Sequence, residues 1–353
     1  DSRKDVPQGS VTIVLKSGIP EEGYHLEVSP AAVRIEASDA HGAFNGVESL
    51  LQLARVSRSN TIAACKADDR PAMRWRGIML DESRHFFGKQ AVEQVLDWMA
   101  FYKLDRFHWH LTDVPGWRLQ ILRYPKLALV GGVGNKTDSM APARYYTQQE
   151  IDEIVQYARE RFITIIPEID MPGHAGASNR AYPEFSGGGS ASNPEFTFNP
   201  GNPGTYTYLT NILKEVNVLF PAHMIHIGGD EVSFGSGHWT SFPDVQRLMA
   251  AQHLTDAVDV ERYFVQRMAD SVISMGSKIL GWDEIAKSKL PAESTIIFWW
   301  RHDKPAALKE SLDKGYSVVL GPRIPFYFDF VQAARDHSGR RWKGNTFSSE
   351  HEI

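Results

Sequence analysis

MIHIGGDEVSF, residues 224–234, passes from an apolar run into two glycines and then into two adjacent carboxylates, Asp230 and Glu231. The run Met-Ile-His-Ile is short and apolar, as a strand covered on both faces would be. Gly228 and Gly229 let the backbone turn after it and leave room beside it. Two like charges at the end of a buried strand repel each other, so their placement needs either solvent or a chemical use.

Working outward, similar runs recur along the chain: WRGIML (75–80), RFHWHL (106–111), FITIIPEI (162–169), KILGW (278–282), TIIFWW (295–300) and YSVVLG (316–321). Helical patterns lie between most of them. TQQEIDEIVQYARE opens with Thr147 and Glu150 at capping-box spacing. ERYFVQRMADSVISMG and KPAALKESLDKG also carry helical spacing. Strands alternating with helices predict a parallel sheet covered by helices. Seven such strands over roughly 250 residues predict a (β/α)8 TIM barrel. A doubly wound sheet is the runner-up, but no GxGxxG follows the first strand. The eighth barrel strand is not identifiable: DHSGRRWKGNTFSSEHEI, at the end of the chain, does not read as a buried strand. An open barrel leaves unpaired edges, so the natural chain is expected to continue beyond Ile353.

Residues 1–70 read differently. YHLEVSPAAVRIEA alternates like two half-exposed strands joined at Ser29-Pro30, and HGAFNGVESLLQLARV has helical spacing. Pro71 and the charges of ADDRPAM interrupt the pattern. The expected division is therefore a small α+β accessory domain over 1–70 and a catalytic barrel over 71–353.

Composition narrows the class of partner. A net charge of −5 and 42% hydrophobic residues fit an ordinary globular protein, and nothing points to nucleic acid or to membrane insertion. Cys65 is the sole cysteine, which excludes an intrachain disulfide scaffold. The polar start DSRKDVPQGS has no apolar signal core. Location outside the cytoplasm, in a bacterial periplasm or extracellular, is the expectation, with the signal peptide absent from this chain.

Barrel enzymes carry their chemistry at the C-terminal ends of the strands. At those positions stand Asp81, Glu82 and Arg84; His108, His110 and Asp113; Glu168, Asp170 and His174; Asp230 and Glu231; Trp282, Asp283 and Glu284; Trp300 and Arg301; Tyr327 and Asp329. Any one of these is ordinarily a solvated or satisfied polar group. Recurrence after strand upon strand points to a site.

RGIMLDESRHF, FHWHLTD with GWR, IPEIDMPGH, HIGGDE, LGWDE and FYFD, in this order, resemble the motifs of glycoside hydrolase family 20, the β-N-acetylhexosaminidases. GAFNGVESLLQL resembles that family's accessory domain. The resemblance implies an exo-acting retaining glycosidase that removes terminal N-acetylglucosamine or N-acetylgalactosamine without a cofactor or metal. In that mechanism the substrate's own acetamido oxygen attacks the anomeric carbon, and water opens the oxazolinium ion. By the same resemblance Glu231 is the general acid and Asp230 orients the acetamido N–H. A neighbouring anion would raise the acid's pKa, as its task requires. Asp113 and His174 resemble a carboxylate–imidazole pair that supports the acid. Arg84 resembles the residue gripping the 3- and 4-hydroxyls, for which its forked donors suit two adjacent oxygens. Trp282 and Trp300 resemble the walls of the acetamido pocket, with Trp299 as an alternative to the latter. Tyr327 and Asp329 resemble the pair that holds the acetamido oxygen and a sugar hydroxyl.

Two departures stand out. Val114 occupies a position where the family commonly has a second aspartate, and no match exists for the Trp and Glu of the family's eighth strand. The competing readings are a metal-dependent amidohydrolase, from the His-x-His of HWH, and a catalytically inactive sugar-binding relative. The partner is a carbohydrate in two of the three readings. Oligomeric state is left open.

Overall fold

The computed structural model describes residues 9–57, 61–331, 333, 335 and 339. Eleven strands are assigned: β1 Ser10–Leu15, β2 Tyr24–Val28, β3 Ala32–Ala37, β4 Cys65–Asp69, β5 Gly77–Asp81, β6 Arg106–His110, β7 Thr164–Glu168, β8 Met224–His226, β9 Lys278–Trp282, β10 Thr295–Trp299 and β11 Ser317–Leu320.

The first four make one sheet in the order β1-β3-β2-β4. Alternation in β2 turns Tyr24, Leu26 and Val28 inward, where they meet Ile35 and Ala37 of β3. The helix Ala40–Val56 covers this face with Ala43, Val47, Leu50 and Leu53. Its N-terminus is capped by Asp39, whose Oδ1 accepts the Gly42 N–H at 2.8 Å. The reading of two strands and a helix is thus extended by β1 and β4. CKADD of β4 alternates only through Cys65 and Ala67, which pack on the same core, and it pairs antiparallel with β2.

The other seven strands form a second sheet in the order β11-β10-β9-β8-β7-β6-β5, so every strand lies beside its neighbour in sequence. The pairs from β7 to β11 are parallel. A doubly wound sheet would reverse its order partway, so the runner-up falls. Helices Lys89–Phe101, Gln148–Arg159, Pro203–Leu219, Ala257–Ser274 and Pro305–Asp313 occur between the strands. The capping box forms at Gln148: Thr147 N–H donates to Glu150 Oε2 at 2.8 Å and Glu150 N–H to Thr147 Oγ1 at 3.2 Å. Strand β8 is shorter than its apolar run, yet its pairing continues, with Ile227 N–H donating to Leu280 O and Trp282 N–H to Gly228 O. Residues 336–353, where no eighth strand is legible, lie outside the described residues apart from Gly339.

The chain divides into two compact units. One holds the described residues up to Met79 with Lys89–Phe107 and Glu153–Ile165. The other holds Leu80–Gly88, His108–Asp152 and the described residues from Ile166 onward, and it contains every side chain of the site below. No helix among the described residues is long and apolar enough to cross a membrane.

Candidate active site

Strand alternation sorts the side chains of the seven-stranded sheet between two faces. On one face, Trp109 packs edge-on against Tyr146 and Phe220. On the other, His108, His226, Trp282 and Phe298 touch ring to ring, with centroids 4.5–6.0 Å apart. This second face carries the chemistry.

Its deepest polar group is Glu168, fully buried at the end of β7. Oε2 lies 2.7 Å from His108 Nε2 and 2.8 Å from His110 Nδ1. Oε1 lies 3.3 Å from His226 Nδ1 and accepts the Trp282 Nε1–H at 2.9 Å. Burial opposes the charge of Glu168, but His110, His226 and His108 outweigh it and hold the carboxyl well below its usual range. Burial also works against a proton on His110, yet Glu168 and Asp81 raise its pKa well above the ordinary value. In His108 burial wins, and the pKa falls to about 4. One imidazole is thus charged and another neutral beside the same anion.

His110 continues the chain of contacts upward, with Nε2 3.3 Å from Asp113 Oδ2. Asp113 is buried and receives Arg84 Nη2 at 2.5 Å and His174 Nδ1 at 3.0 Å. Arg84 also donates to Asp81 through Nη1 at 2.8 Å. Burial works against the Asp113 charge, but His174 and Arg84 outweigh it and depress its pKa strongly. His174 faces the acidic pair with its other nitrogen, 3.3 Å from Asp230 Oδ2 and 3.6 Å from Glu231 Oε2. Burial opposes a second proton on His174, yet Asp113, Asp230 and Asp170 raise its pKa well above normal. Burial, then the charge of Asp230, raises the Asp170 carboxyl far above the usual carboxylate range.

The turn that aims the acidic pair depends on its glycines. Gly228 and Gly229 have φ of +68° and +90°. A Cβ on Gly228 would lie 1.8 Å from Asp170 Oδ1, and one on Gly229 2.2 Å from Ile285 Cγ2. Glu231 and His174 each take φ of +52°, a left-handed backbone that costs free energy in residues bearing a Cβ. The Asp230 side chain is 17% exposed and that of Glu231 35%, so the second acid reaches further toward solvent.

Two indoles share the chemical face. Trp282 and Trp300 lie 6.4 Å apart at 69°. Trp300 has the parity of Phe298 and so shares the chemical face, and its Nε1 donates to Glu284 Oε2 at 3.1 Å. Trp299 turns the other way and donates to Lys304 O. Arg301 clasps Asp283 Oδ1 through Nε and Nη2 at 2.6 and 2.5 Å. Burial, then Asp283 and Asp230, pushes Glu284 up to about 9. The pKa of the Tyr327 hydroxyl is raised by burial first and then by Asp230, Glu168 and Asp329. Asp329 is exposed.

The nine residues expected from sequence divide accordingly. Direct contacts join Arg84, Asp113, His174, Asp230 and Glu231. Ring contact joins Trp282 and Trp300, and charge alone links Tyr327 and Asp329 to the rest. Glu82 does not join them: it turns to the helix-covered face, where Oε1 accepts the Tyr146 O–H at 2.8 Å. Sequence reasoning left His226 out; ring contacts with His108, Trp282 and Phe298 place it on the chemical face. Val114, the departure from the aspartate pair, packs its side chain against Gly176. Three groups, His108–Glu168–His226, His110–Asp113–Asp170 and Asp170–His174–Asp230, bring potential metal-ligand atoms within 4.8 Å of one another. In the first, Glu168 Oε1 already accepts from Trp282, and His226 Nδ1 accepts the Gly228 N–H at 3.1 Å.

Strands wound in sequence order, with ionisable and indole side chains gathered toward one end, define a barrel-type enzyme scaffold. The catalytic-domain pattern of glycosyl hydrolase family 20 matches residues 73–352, and that family's domain 2 matches residues 2–70: the chain belongs to glycosyl hydrolase family 20. It is 35% identical to a beta-hexosaminidase of Vibrio furnissii over 96% of this chain and 58% of that protein. A beta-hexosaminidase of Porphyromonas gingivalis is 34% identical over 90% of this chain and 42% of its own length. Among solved structures, the exo beta-N-acetylglucosaminidase of Vibrio harveyi in complex with N-acetylglucosamine superposes with a TM-score of 0.88 at 32% identity, covering 96% of this chain and 56% of that one. The chain thus spans between about two fifths and three fifths of the length of these relatives. Family membership displaces the amidohydrolase alternative.

Proposed function

We propose that this chain is the catalytic part of an exo-acting β-N-acetylhexosaminidase working by retaining, substrate-assisted hydrolysis. The observation that carries the reading is the contact of one buried imidazole, His174, with both Asp230 and Glu231. Glu231, the more exposed acid, protonates the leaving oxygen. Asp230 receives the acetamido N–H, so that the acetamido oxygen attacks the anomeric carbon and the positive charge develops beside an anion. The leaving alcohol departs with the proton of Glu231. Water then adds to the anomeric carbon of the oxazolinium intermediate, returning a proton to Glu231. Asp113 holds His174, Arg84 grips the ring hydroxyls, Trp282 and Trp300 enclose the acetamido methyl, and Tyr327 with Asp329 holds the acetamido oxygen and a hydroxyl.

The seven strands are taken as part of an eight-stranded closed barrel, with the accessory domain ending near residue 70. An exported location, periplasmic or extracellular, suits a substrate carried on glycans. The relatives' names and the N-acetylglucosamine complex support the sugar class.

The test is hydrolysis of an aryl β-N-acetylglucosaminide beside the matching aryl β-glucoside. Turnover of the first alone is expected. Equal turnover of both would remove the acetamido group from the mechanism, and turnover of neither would leave a sugar-binding relative.

A further inference from the structure

We infer that Glu168 is a positioning residue that fixes the plane of the Trp282 indole and thereby sets which N-acyl groups the pocket accepts. The inference rests on the proposed place of Trp282 in the acetamido wall. Trp282 stands on β9 and Glu168 on β7, with β8 between them, so the 2.9 Å bond from Nε1 to Oε1 crosses the face of a whole strand. The carboxylate is closely surrounded, which limits its freedom to follow the indole. Its other oxygen lies 2.7 Å from His108 Nε2 and 2.8 Å from His110 Nδ1, and Oε1 is also 3.3 Å from His226 Nδ1. The indole is equally constrained. Its ring is 7% exposed and meets His108, His226 and Phe298, so a flipped ring would bury its N–H against carbon and aromatic edges.

A wall held this firmly resists displacement by an added methylene. An apolar pocket discriminates one methylene by about 10- to 200-fold, and a wall that cannot yield leaves no room for the larger acyl group. The function proposed above uses Trp282 as a surface and gives Glu168 no task. The geometry points to selectivity for the acetyl group as that task.

The test compares binding of N-acetylglucosamine and N-propionylglucosamine by calorimetry in the wild type, Glu168→Gln, Trp282→Phe and the double variant. Trp282→Phe keeps a flat apolar wall but removes the N–H. Glu168→Gln keeps an acceptor oxygen for the indole but removes the charge that His110 faces, so the side chain is freer to turn. The wild type is expected to prefer the acetyl sugar. Each variant should narrow that preference by about five- to tenfold, and the double variant no further than the stronger single one, because both act on the one Trp282–Glu168 contact. A general loss of packing would weaken both sugars and leave their ratio alone. An unchanged ratio in folded variants, additive effects in the double variant, or no binding of either sugar by the wild type would overturn the inference. Should Glu168→Gln fail to fold, Trp282→Phe still removes the donor of that hydrogen bond, and its ratio decides. Binding is read without turnover. A wild type that discriminates the two sugars but cleaves no aryl glycoside therefore defeats the proposed activity and leaves this inference standing.

Discussion

His174 Nδ1 lies 3.0 Å from Asp113 Oδ1, with both side chains nearly sealed from water. Because Asp113 claims that nitrogen, the other faces Asp230 and Glu231 at 3.3 and 3.6 Å. The imidazole therefore transmits the placement of Asp113 to both acids. His174→Ala and Asp113→Asn are each expected to lower kcat by about 10²-fold, the scale of losing one positioned support. The double variant should be little worse than the poorer single one, since the two act in series. Steady-state kinetics checks this, and fully additive losses would separate the pair.

Glu231→Gln is expected to lower kcat by about 10²–10⁴-fold on substrates with poor leaving groups, the usual scale of general-acid catalysis. Aryl groups that leave without a proton should feel much less of the loss. Asp230→Asn should slow the first step with every leaving group by about 10²-fold, because orientation is needed whatever departs. A series of aryl glycosides with graded leaving-group acidity distinguishes the two patterns. Equal slopes for both variants would mean that the assigned roles are wrong.

Gly228→Ala should be destabilising and inactivating together. The left-handed backbone alone costs about 1–2 kcal/mol in a residue with a Cβ, and the methyl would also meet Asp170 Oδ1 at 1.8 Å. Thermal unfolding measures the first effect and activity at low temperature the second. Alanine with an unchanged midpoint would contradict the turn geometry.

Stability should peak at about pH 5 and decline on both sides. Above the peak, Glu284 and Glu82, raised by burial to about 9 and about 7, keep protons that the unfolded chain releases near 4.5. The native state then binds more protons, so stability falls as pH rises. His174 and His110 act in the same direction: their contribution is complete below 6.5 and is lost as pH climbs through their raised values. Below the peak, His108, lowered to about 4 by burial, resists a proton that the unfolded chain accepts near 6.5. The depressed Asp113 and Glu168 add to the loss at lower pH still. Melting temperatures from pH 4 to 9 check the shape, and Glu284→Gln should flatten the alkaline decline.

The strand-helix alternation, the order of the chemical residues and the acidic turn after β8 were legible in sequence. They depend on local rules: apolar runs, capping spacing and the freedom of glycine. The family motifs named nine residues, and five of them meet in direct contact. What sequence could not decide was which face each rim residue takes. Glu82 and Trp299 sit one position from Asp81 and Trp300, yet the pleat sends them to the opposite side, where Tyr146 and Lys304 receive them. Nor could sequence draw His108, His110, His226 and Trp282, from three different strands, onto the single carboxylate of Glu168. Such a cluster exists only once strand register brings those side chains to one level, and its charges are set by mutual distance and by exclusion from water.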